Sequence, residues 1–392
     1  MKCIINRSLS VKLKELVTEF PMIFLSGPRQ SGKTTLLKGL SLKNCEYISL
    51  EETHARDFAR CDPKGFLNTF KGRVIIDDVH HAPALVPHMK EKIDEKGIQG
   101  LYVLSGRLDS DMSKSISRYL HGRAVKLSLL PFSISEMERA GRQPKTSNEW
   151  MFRGAYPELF SSAVDPQDFF HGYITNLVEQ DIKSELTIYG LNKFRRFLAI
   201  LAEKSGDLIN LSKLGKGASV DARTANSWIN ILEEQYILFR LPPYHGFEGR
   251  RYAKTPKLYF FDAGFLCFLL GIKSAEELNF HPMRSKIFET AVISEIIKKC
   301  FNAGRRRQMY FWRDLDSRKK GIDLIEERPH GLELTEINLS QTANEEYARR
   351  LINYPLFPES ILKAKTIKKR VIYDGDASPV FENVQYFNWK LL

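Results

Sequence analysis

Cysteine is scarce and scattered. The five thiols, Cys3, Cys45, Cys61, Cys267 and Cys300, form no CxxC pair. That spacing supports neither a zinc site nor a disulfide framework and fits reduced thiols in a cytoplasm. Long apolar runs are missing too. The longest, residues 265–270, falls far short of the roughly 20 residues that cross a bilayer. The first 17 residues scatter Lys and Arg among their apolar neighbours instead of building the hydrophobic stretch of a secretory leader. Neither membrane insertion nor export is therefore expected, and no internal repeat or low-complexity tract occurs. Acidic residues are in deficit: 47 Asp+Glu face 59 Lys+Arg, a formal net charge of +12 with a pI near 9.3. Such an excess favours polyanionic partners, nucleic acid among them, although solubility alone would also account for it.

What remains is an ordinary globular composition, 43% hydrophobic and 27% charged, in a chain long enough for two or three domains. In the first third, short apolar runs at 22–25, 47–50, 74–76, 101–104 and 124–130 alternate with helical patterns such as 33–40 and 85–95. Strands spaced by helices, each strand continuously apolar, predict an α/β unit with a parallel sheet covered on both faces. Residues from about 168 to 204 read as helices. Residues 211–241 read as a small helix-turn-helix unit whose Ala222, Ala225, Ile229 and Leu232 share one buried face. The last third mixes strands at 257–261, 308–312, 322–325, 334–339 and 370–373 with helices at 285–300 and 345–352. The implied division is 1–140, 141–250 and 251–392.

The strongest chemical signal is Gly27-Pro28-Arg29-Gln30-Ser31-Gly32-Lys33-Thr34, a full GxxxxGK[ST] match between a predicted strand and a predicted helix. Two glycines let the backbone curl until its N–H groups converge on phosphate oxygens. Lys33 would reach the β- and γ-phosphates of ATP, and the Thr34 hydroxyl would be a Mg²⁺ ligand, with Thr35 completing the loop. The run Val74-Ile75-Ile76-Asp77-Asp78 supplies the acids such a site needs. Asp77 would hold Mg²⁺ through water, and Asp78 would polarise the attacking water or else merely cap a helix. Ser105 closes the fourth strand, where a hydroxyl would orient that water. Arg123 precedes the fifth, where a cation would steady the transition state in its own subunit or a neighbour's. Each of these two also has the plain reading of a polar strand end.

On these residues the first third resembles the ATPase module of the AAA+ superfamily. The whole chain resembles a widespread prokaryotic group of predicted ATPases that join this module to a winged-helix-like unit and a C-terminal domain like PD-(D/E)xK nucleases. The likeness includes Gly27 to Thr35, Leu129-Leu130-Pro131-Phe132-Ser133, Gly154-Ala155-Tyr156-Pro157-Glu158, Leu241-Pro242-Pro243-Tyr244, Lys257-Leu258-Tyr259-Phe260-Phe261-Asp262 and Tyr310-Phe311-Trp312-Arg313-Asp314. The chain departs from the group at Asp78, where Glu is usual, at His80, where Gln is common, and at Arg107, where a small polar residue is usual. A carboxylate shortened by one methylene predicts slow hydrolysis.

For the C-terminal unit the resemblance implies a restriction-endonuclease-like α/β fold with an acid at Asp323, an acid-x-Lys at Glu336, and a helix acid at Glu289 or Glu295. The lysine position is Asn338. Two carboxylates would still hold Mg²⁺, but the cation that activates water is missing from that strand, which predicts a degenerate site that does not cut. The clusters Arg305 to Arg307 with Arg313 and Arg318 to Lys320, and Lys363, Lys365 and Lys368 to Arg370, are possible phosphate contacts or simply solvated faces. Tyr310, Phe311 and Trp312 between them read as strand core. In the helix-turn-helix-like unit Arg223, Asn226 and Asn230 would face bases, but Glu233 and Glu234 oppose phosphate, which favours a packing role. The leading expectation is an ATP-driven switch or motor, acting on nucleic acid or a protein partner and assembling into homo-oligomers with ATP. The rivals are a non-hydrolysing nucleotide-gated module and an ATP-regulated nuclease.

Overall fold

The computed structural model describes residues 5–107, 110–177, 188–245, 253–305, 308–314, 321–329, 331–352 and 366–392. The first unit runs α1 (Leu9–Glu19), β1 (Met22–Ser26), α2 (Lys33–Lys38), β2 (Cys45–Ser49), α3 (Thr53–Cys61), α4 (Pro63–Asn68), β3 (Arg73–Asp77), α5 (Leu85–Lys96), β4 (Tyr102–Ser105), α6 (Ser110–Tyr119) and β5 (Ala124–Ser128). All five strands are parallel, in the order β2-β3-β4-β1-β5. Strand side chains alternate between faces. Met22, Phe24, Val74, Ile76 and Leu104 therefore pack under α4, α5 and α6, while Ile23, Leu25, Ile75 and Val103 pack under α1 and α2. With apolar cover on both faces the strands need no polar side, and the predicted doubly covered parallel sheet is what forms. The strand that separates loop from acid in sequence, β2, goes to the sheet edge. In space it is β4 that stands between β1 and β3, bringing Ser105 to the middle of the carboxyl edge.

The chain continues through α7 (Ile134–Arg139), α8 (Ser147–Arg153), α9 (Glu158–Ser161), α10 (Pro166–Asn176), α11 (Ile188–Glu203), α12 (Leu211–Ala218) and α13 (Ala222–Glu234). It then enters a two-stranded antiparallel sheet of β6 (Leu238–Leu241) and β7 (Lys257–Phe260), followed by α14 (Ala263–Leu269) and α15 (Arg284–Asn302). Asn210 and Asp221 cap α12 and α13 by accepting the Lys213 and Thr224 amides. Ala225, Ile229 and Leu232 are buried as the spacing predicts, and Ala222 is half-buried. The helical reading of 211–241 overruns, because residues 238–241 form β6, whose Phe239 stacks on Tyr259 of β7. This pairing runs across position 250, and one apolar core extends from α7 through α14 and α15.

The C-terminal unit holds β8 (Met309–Arg313), β9 (Gly321–Arg328), β10 (Gly331–Asn338), α16 (Glu345–Ile352), β11 (Thr366–Tyr373), β12 (Val380–Phe381) and β13 (Val384–Asn388). They form a mixed sheet in the order β12-β13-β11-β10-β9-β8, parallel at β10–β11 and β11–β13 and antiparallel elsewhere. Helix α15 covers one face and α16 the other. Phe311 and Trp312 are buried in this sheet. The β12–β13 hairpin escapes sequence reading because strands this short carry almost no periodicity. Among the described residues no helix is long and apolar enough to cross a membrane.

Candidate nucleotide site

The loop after β1 curls because three of its residues take left-handed backbone: Gly27 at φ +146°, Gln30 at +59° and Gly32 at +92°. At Gly27 conformation and space both demand glycine, since a Cβ there would lie 2.2 Å from the Leu129 carbonyl oxygen. Gly27→Ala is expected to destabilise the fold by at least about 2 kcal/mol and to lower the melting temperature, read by calorimetry against wild type. Gly32 is the N-cap of α2, so the Gly32 to Thr34 amides open the helix beside the loop. Lys33 folds back over this loop, its Nζ donating to the carbonyls of Gly27 (3.0 Å) and Pro28 (2.8 Å). Burial pushes its ammonium down to about 8, against the opposing pull of Asp78 and Asp77.

Asp77, at the end of β3, is buried and fixed from two sides. Tyr47 of β2 donates to Oδ2 at 2.9 Å, and Ser105 of β4 donates to Oδ1. Ser105 is itself fully buried. The structure thus corrects the role read for it: its hydroxyl orients the acid, not a water molecule. Tyr47 was missed, because only the sheet order puts an edge-strand tyrosine on that carboxylate.

Asp78 has left-handed backbone, φ +58°, which Asp tolerates better than most residues. It stands at the N-cap of a short helical turn without capping it through its side chain, so the plain capping alternative loses its hydrogen bond. Its carboxyl faces the cleft and is pushed up to about 6, by burial first and then by Asp77 and Glu51, with Lys33 and Arg29 opposing. His80 lies 3.8 Å from Asp78 and accepts the Arg107 amide through Nδ1 at 3.5 Å. Burial, with Arg107 next, holds this imidazole neutral, down to about 2.

Lys33, Thr34, Asp78 and Arg29 line one cleft of about 500 Å³ together with Arg107, Pro157 and Glu158. A second cavity of about 280 Å³ shares Gly32, Thr35, Pro157 and Glu158 with it and extends past Arg7 and Phe132. Pro157 and Glu158 belong to the Gly154 to Glu158 stretch, which the sequence marked without giving it a role. Arg123 is not brought to the site. It precedes β5 at the amino edge of the sheet, opposite the loop, and pairs with Asp94 at 2.7 Å. A parallel strand separates its two ends by its full length, so the residue before it cannot reach a phosphate bound after it.

In the C-terminal unit three carboxylates converge. Glu289 of α15 accepts from Lys257 of β7 at 3.0 Å and from Tyr259. Asp323 accepts the Ile337 amide at 2.9 Å, and Glu336 pairs with Arg350 at 2.8 Å. Burial and then the charge of Glu289 push Asp323 up to about 6, while burial and then Asp323 raise Glu336. The cation missing at Asn338 therefore arrives from another strand, Lys257, but it is engaged with Glu289. Glu295 lies apart from this cluster. Among the described residues no group of three or more His, Cys, Asp or Glu is arranged to hold a metal ion. Of the basic clusters, residues 306–307, 318–320, 363 and 365 lie outside the described residues. Arg370 is bound to Glu326 and Glu333. Asn226 and Asn230 accept from Arg240 of β6, while Arg223 and Asn230 are exposed.

Three family models match the chain: an AAA domain over residues 19–138, a domain of unknown function (DUF8612) over 144–276, and another (DUF4143) over 284–392. The chain is 26% identical over 336 residues to the uncharacterized protein Rv2008c of Mycobacterium tuberculosis and equally to Mb2031c of Mycobacterium bovis, a match covering 84% of this chain and 73% of each relative. Among solved structures, it resembles the Walker-type ATPase PABY2304 of Pyrococcus abyssi with a TM-score of 0.46 at 12% identity, covering 68% of this chain and 96% of that one. It resembles a single-substitution variant of Thermotoga maritima RuvB with a TM-score of 0.31 at 17% identity, covering 60% and 87%. The match to the AAA domain over residues 19–138 spans the phosphate loop and the acids Asp77 and Asp78 at the next strand end but one.

Proposed function

We propose that the chain is a Mg·ATP-binding AAA+-type ATPase that works as a nucleotide-driven switch. One observation carries this reading. Arg29, Gly32, Lys33 and Thr34 of the curled loop line one cleft with Asp78, and Asp77 stands buried one residue before Asp78 at the end of β3, at the carboxyl edge where open α/β sheets hold ligands. Loop amides and Lys33 would bind the phosphates. The donor set suits a hard cation: Thr34 is exposed and lines the cleft, and each Asp77 oxygen, having accepted one hydroxyl, keeps a further lone pair. Bound there, Mg²⁺ would neutralise charge on the β- and γ-phosphates. Asp78 would polarise water, and its short side chain makes hydrolysis slow. Phosphate release from ATP, with ATP binding read in parallel by calorimetry, tests the reading; binding without release would favour the non-hydrolysing module that Asp78 already suggests.

Within one subunit Arg107 takes the transition-state role, since Arg123 lies at the opposite edge of the sheet; the neighbour's-subunit role read for Arg123 stays part of the homo-oligomer expectation. Arg107 lines the cleft and acts electrostatically on Lys33, His80 and His81. Arg107→Ala is expected to lower kcat about tenfold to a hundredfold, with Arg123→Ala unchanged in the same phosphate-release assay on monomeric protein.

The remaining units would be moved or read out by the switch. The division at about 140 and 250 and the winged-helix-like and nuclease-like characters of the later units are part of this proposal. The C-terminal unit is proposed as a scaffold that does not cut, so plasmid incubated with Mg²⁺ or Mn²⁺ should stay intact. A polyanion such as nucleic acid is the proposed partner, supported by Lys204, Lys213 and Arg313 along one cleft of about 490 Å³. Its affinity should then fall steeply with salt, and a flat salt response would remove nucleic acid.

A further inference from the structure

A buried polar chain leaves the phosphate loop at Ser31 and ends on α15. It begins at Arg7, whose side chain is 6% exposed. The guanidinium donates through Nη1 to the Ser31 carbonyl (2.6 Å), through Nη2 to the Leu130 carbonyl (2.5 Å) and through Nε to Glu136 (3.1 Å). Glu136 also accepts the Ser8 and Ser133 amides and forms a capping box with Ser133 at the start of α7. The next amide, that of Ile134, donates to Glu295 of α15 at 2.7 Å. Lys298, one turn further on, donates to the Phe132 carbonyl at 3.0 Å and lies 3.6 Å from Glu295. Six residues before Glu295, the same helix presents Glu289 to Lys257 and Tyr259.

Two physical points turn this chain into a device. The peptide group is planar and trans, so the Ser31 carbonyl and the Gly32 N–H lie on opposite sides of one rigid unit. By holding the carbonyl, Arg7 fixes the direction of the amide that opens the phosphate-facing helix. Moreover, buried ionic groups stabilise a fold less than apolar packing of the same volume would, yet Arg7, Glu136, Glu295 and Lys298 are all buried; directional hydrogen bonds set the Arg7–Glu136, Ile134–Glu295 and Lys298–Phe132 links, and Lys298 faces Glu295 as an ion pair. Such a chain fixes orientation as well as distance between its ends.

We propose that Arg7 is a positioning residue for the Ser31–Gly32 peptide and that Glu136, Glu295 and Lys298 couple that peptide to α15. Nucleotide in the loop would thus be felt by the C-terminal unit, and a partner bound at that unit would change nucleotide affinity by the same factor. This inference rests on the nucleotide reading above.

The test uses the full chain and a non-hydrolysable ATP analogue with Mg²⁺. Calorimetry gives the Kd, and amide hydrogen exchange reports residues 293–299 of α15 with and without the analogue. Wild type should bind and slow that exchange. Arg7→Lys, which keeps the charge but loses the fork, should bind about fivefold more weakly, a change equivalent to one net hydrogen bond, and lose the protection. Lys298→Met, which keeps the apolar stem and leaves the cleft untouched, should also weaken binding and serves if Arg7→Lys fails to fold. A purely structural role would lower the melting temperature of these variants while leaving Kd and protection at wild-type values, and that result overturns the coupling. Wild-type binding without any protection of α15 also overturns it and leaves the nucleotide reading standing. Absence of binding by folded wild type overturns both.

Discussion

Lys33→Ala is expected to stop phosphate release from ATP, a loss on the order of 10³-fold, or about 4 kcal/mol of transition-state stabilisation. The size follows from where the ammonium sits. It is half-buried against the carbonyls of Gly27 and Pro28, where a charge interacts more strongly than in water, and the bound phosphates would replace those carbonyls as its partners. Alanine leaves the loop's curl intact, because Gly27 and Gly32 set the curl. The variant should therefore melt close to wild type while losing turnover. Equal, background-level release from wild type and variant would sink the ATPase reading; equal and substantial release from both would show that Lys33 is not part of the site.

Lys257→Met should cost about 3 kcal/mol of stability at pH 7, making it the largest expected effect on folding among the residues of the C-terminal cluster. Lys257 is the cation paired with Glu289, and Asp323 lies close enough for its charge to act on the same ammonium. Remove it and three carboxylates face each other, with Arg350 still paired to Glu336. The pH dependence has a defined sign. Asp323 is held up to about 6 in the folded protein, above the value of about 3.9 expected for an unfolded chain. The folded state therefore binds more protons in this window, and this group's contribution to stability is present below the unfolded value and is lost as pH rises from about 4 through about 6. Without Lys257, whose charge lowers it, Asp323 rises further, so the deficit of the variant should shrink on acidification from pH 7 to pH 5. Melting curves at those two pH values decide it. A pH-independent deficit would mean that the variant lost packing and not charge balance.

Much of the phosphate site was legible because its determinants are local. A loop that must curl needs Gly27 and Gly32 within six residues of each other, its lysine next in line, and a strand before it. An apolar run ending in Asp77 and Asp78 is a pattern of the same kind. The α/β class was legible for a related reason, since strands buried on both faces are apolar throughout.

The readings that changed were the ones that required knowing which distant segments become neighbours. Ser105 was legible as a polar strand end, but its partner Asp77 is set by β4 lying between β1 and β3. Tyr47 reaches the same acid because β2 is placed at the sheet edge beside β3. Arg123 sits next to a correct strand at its wrong end, a distinction that depends on strand direction. Lys257 stands in sequence far from the carboxylates it neutralises, and Pro157 and Glu158 reach the loop from beyond α8.

By itself, then, the sequence determined the curl, the charge and the acids of the phosphate site, for these are written in backbone constraint and residue spacing over a few positions. Tertiary structure decided which hydroxyls hold the acid, which arginine faces the cleft, and how a buried chain of charges ties the loop to α15. Those relations are set by sheet order and helix packing, which bring together groups more than a hundred residues apart, as Arg7 and Glu136 are, and no local pattern encodes them.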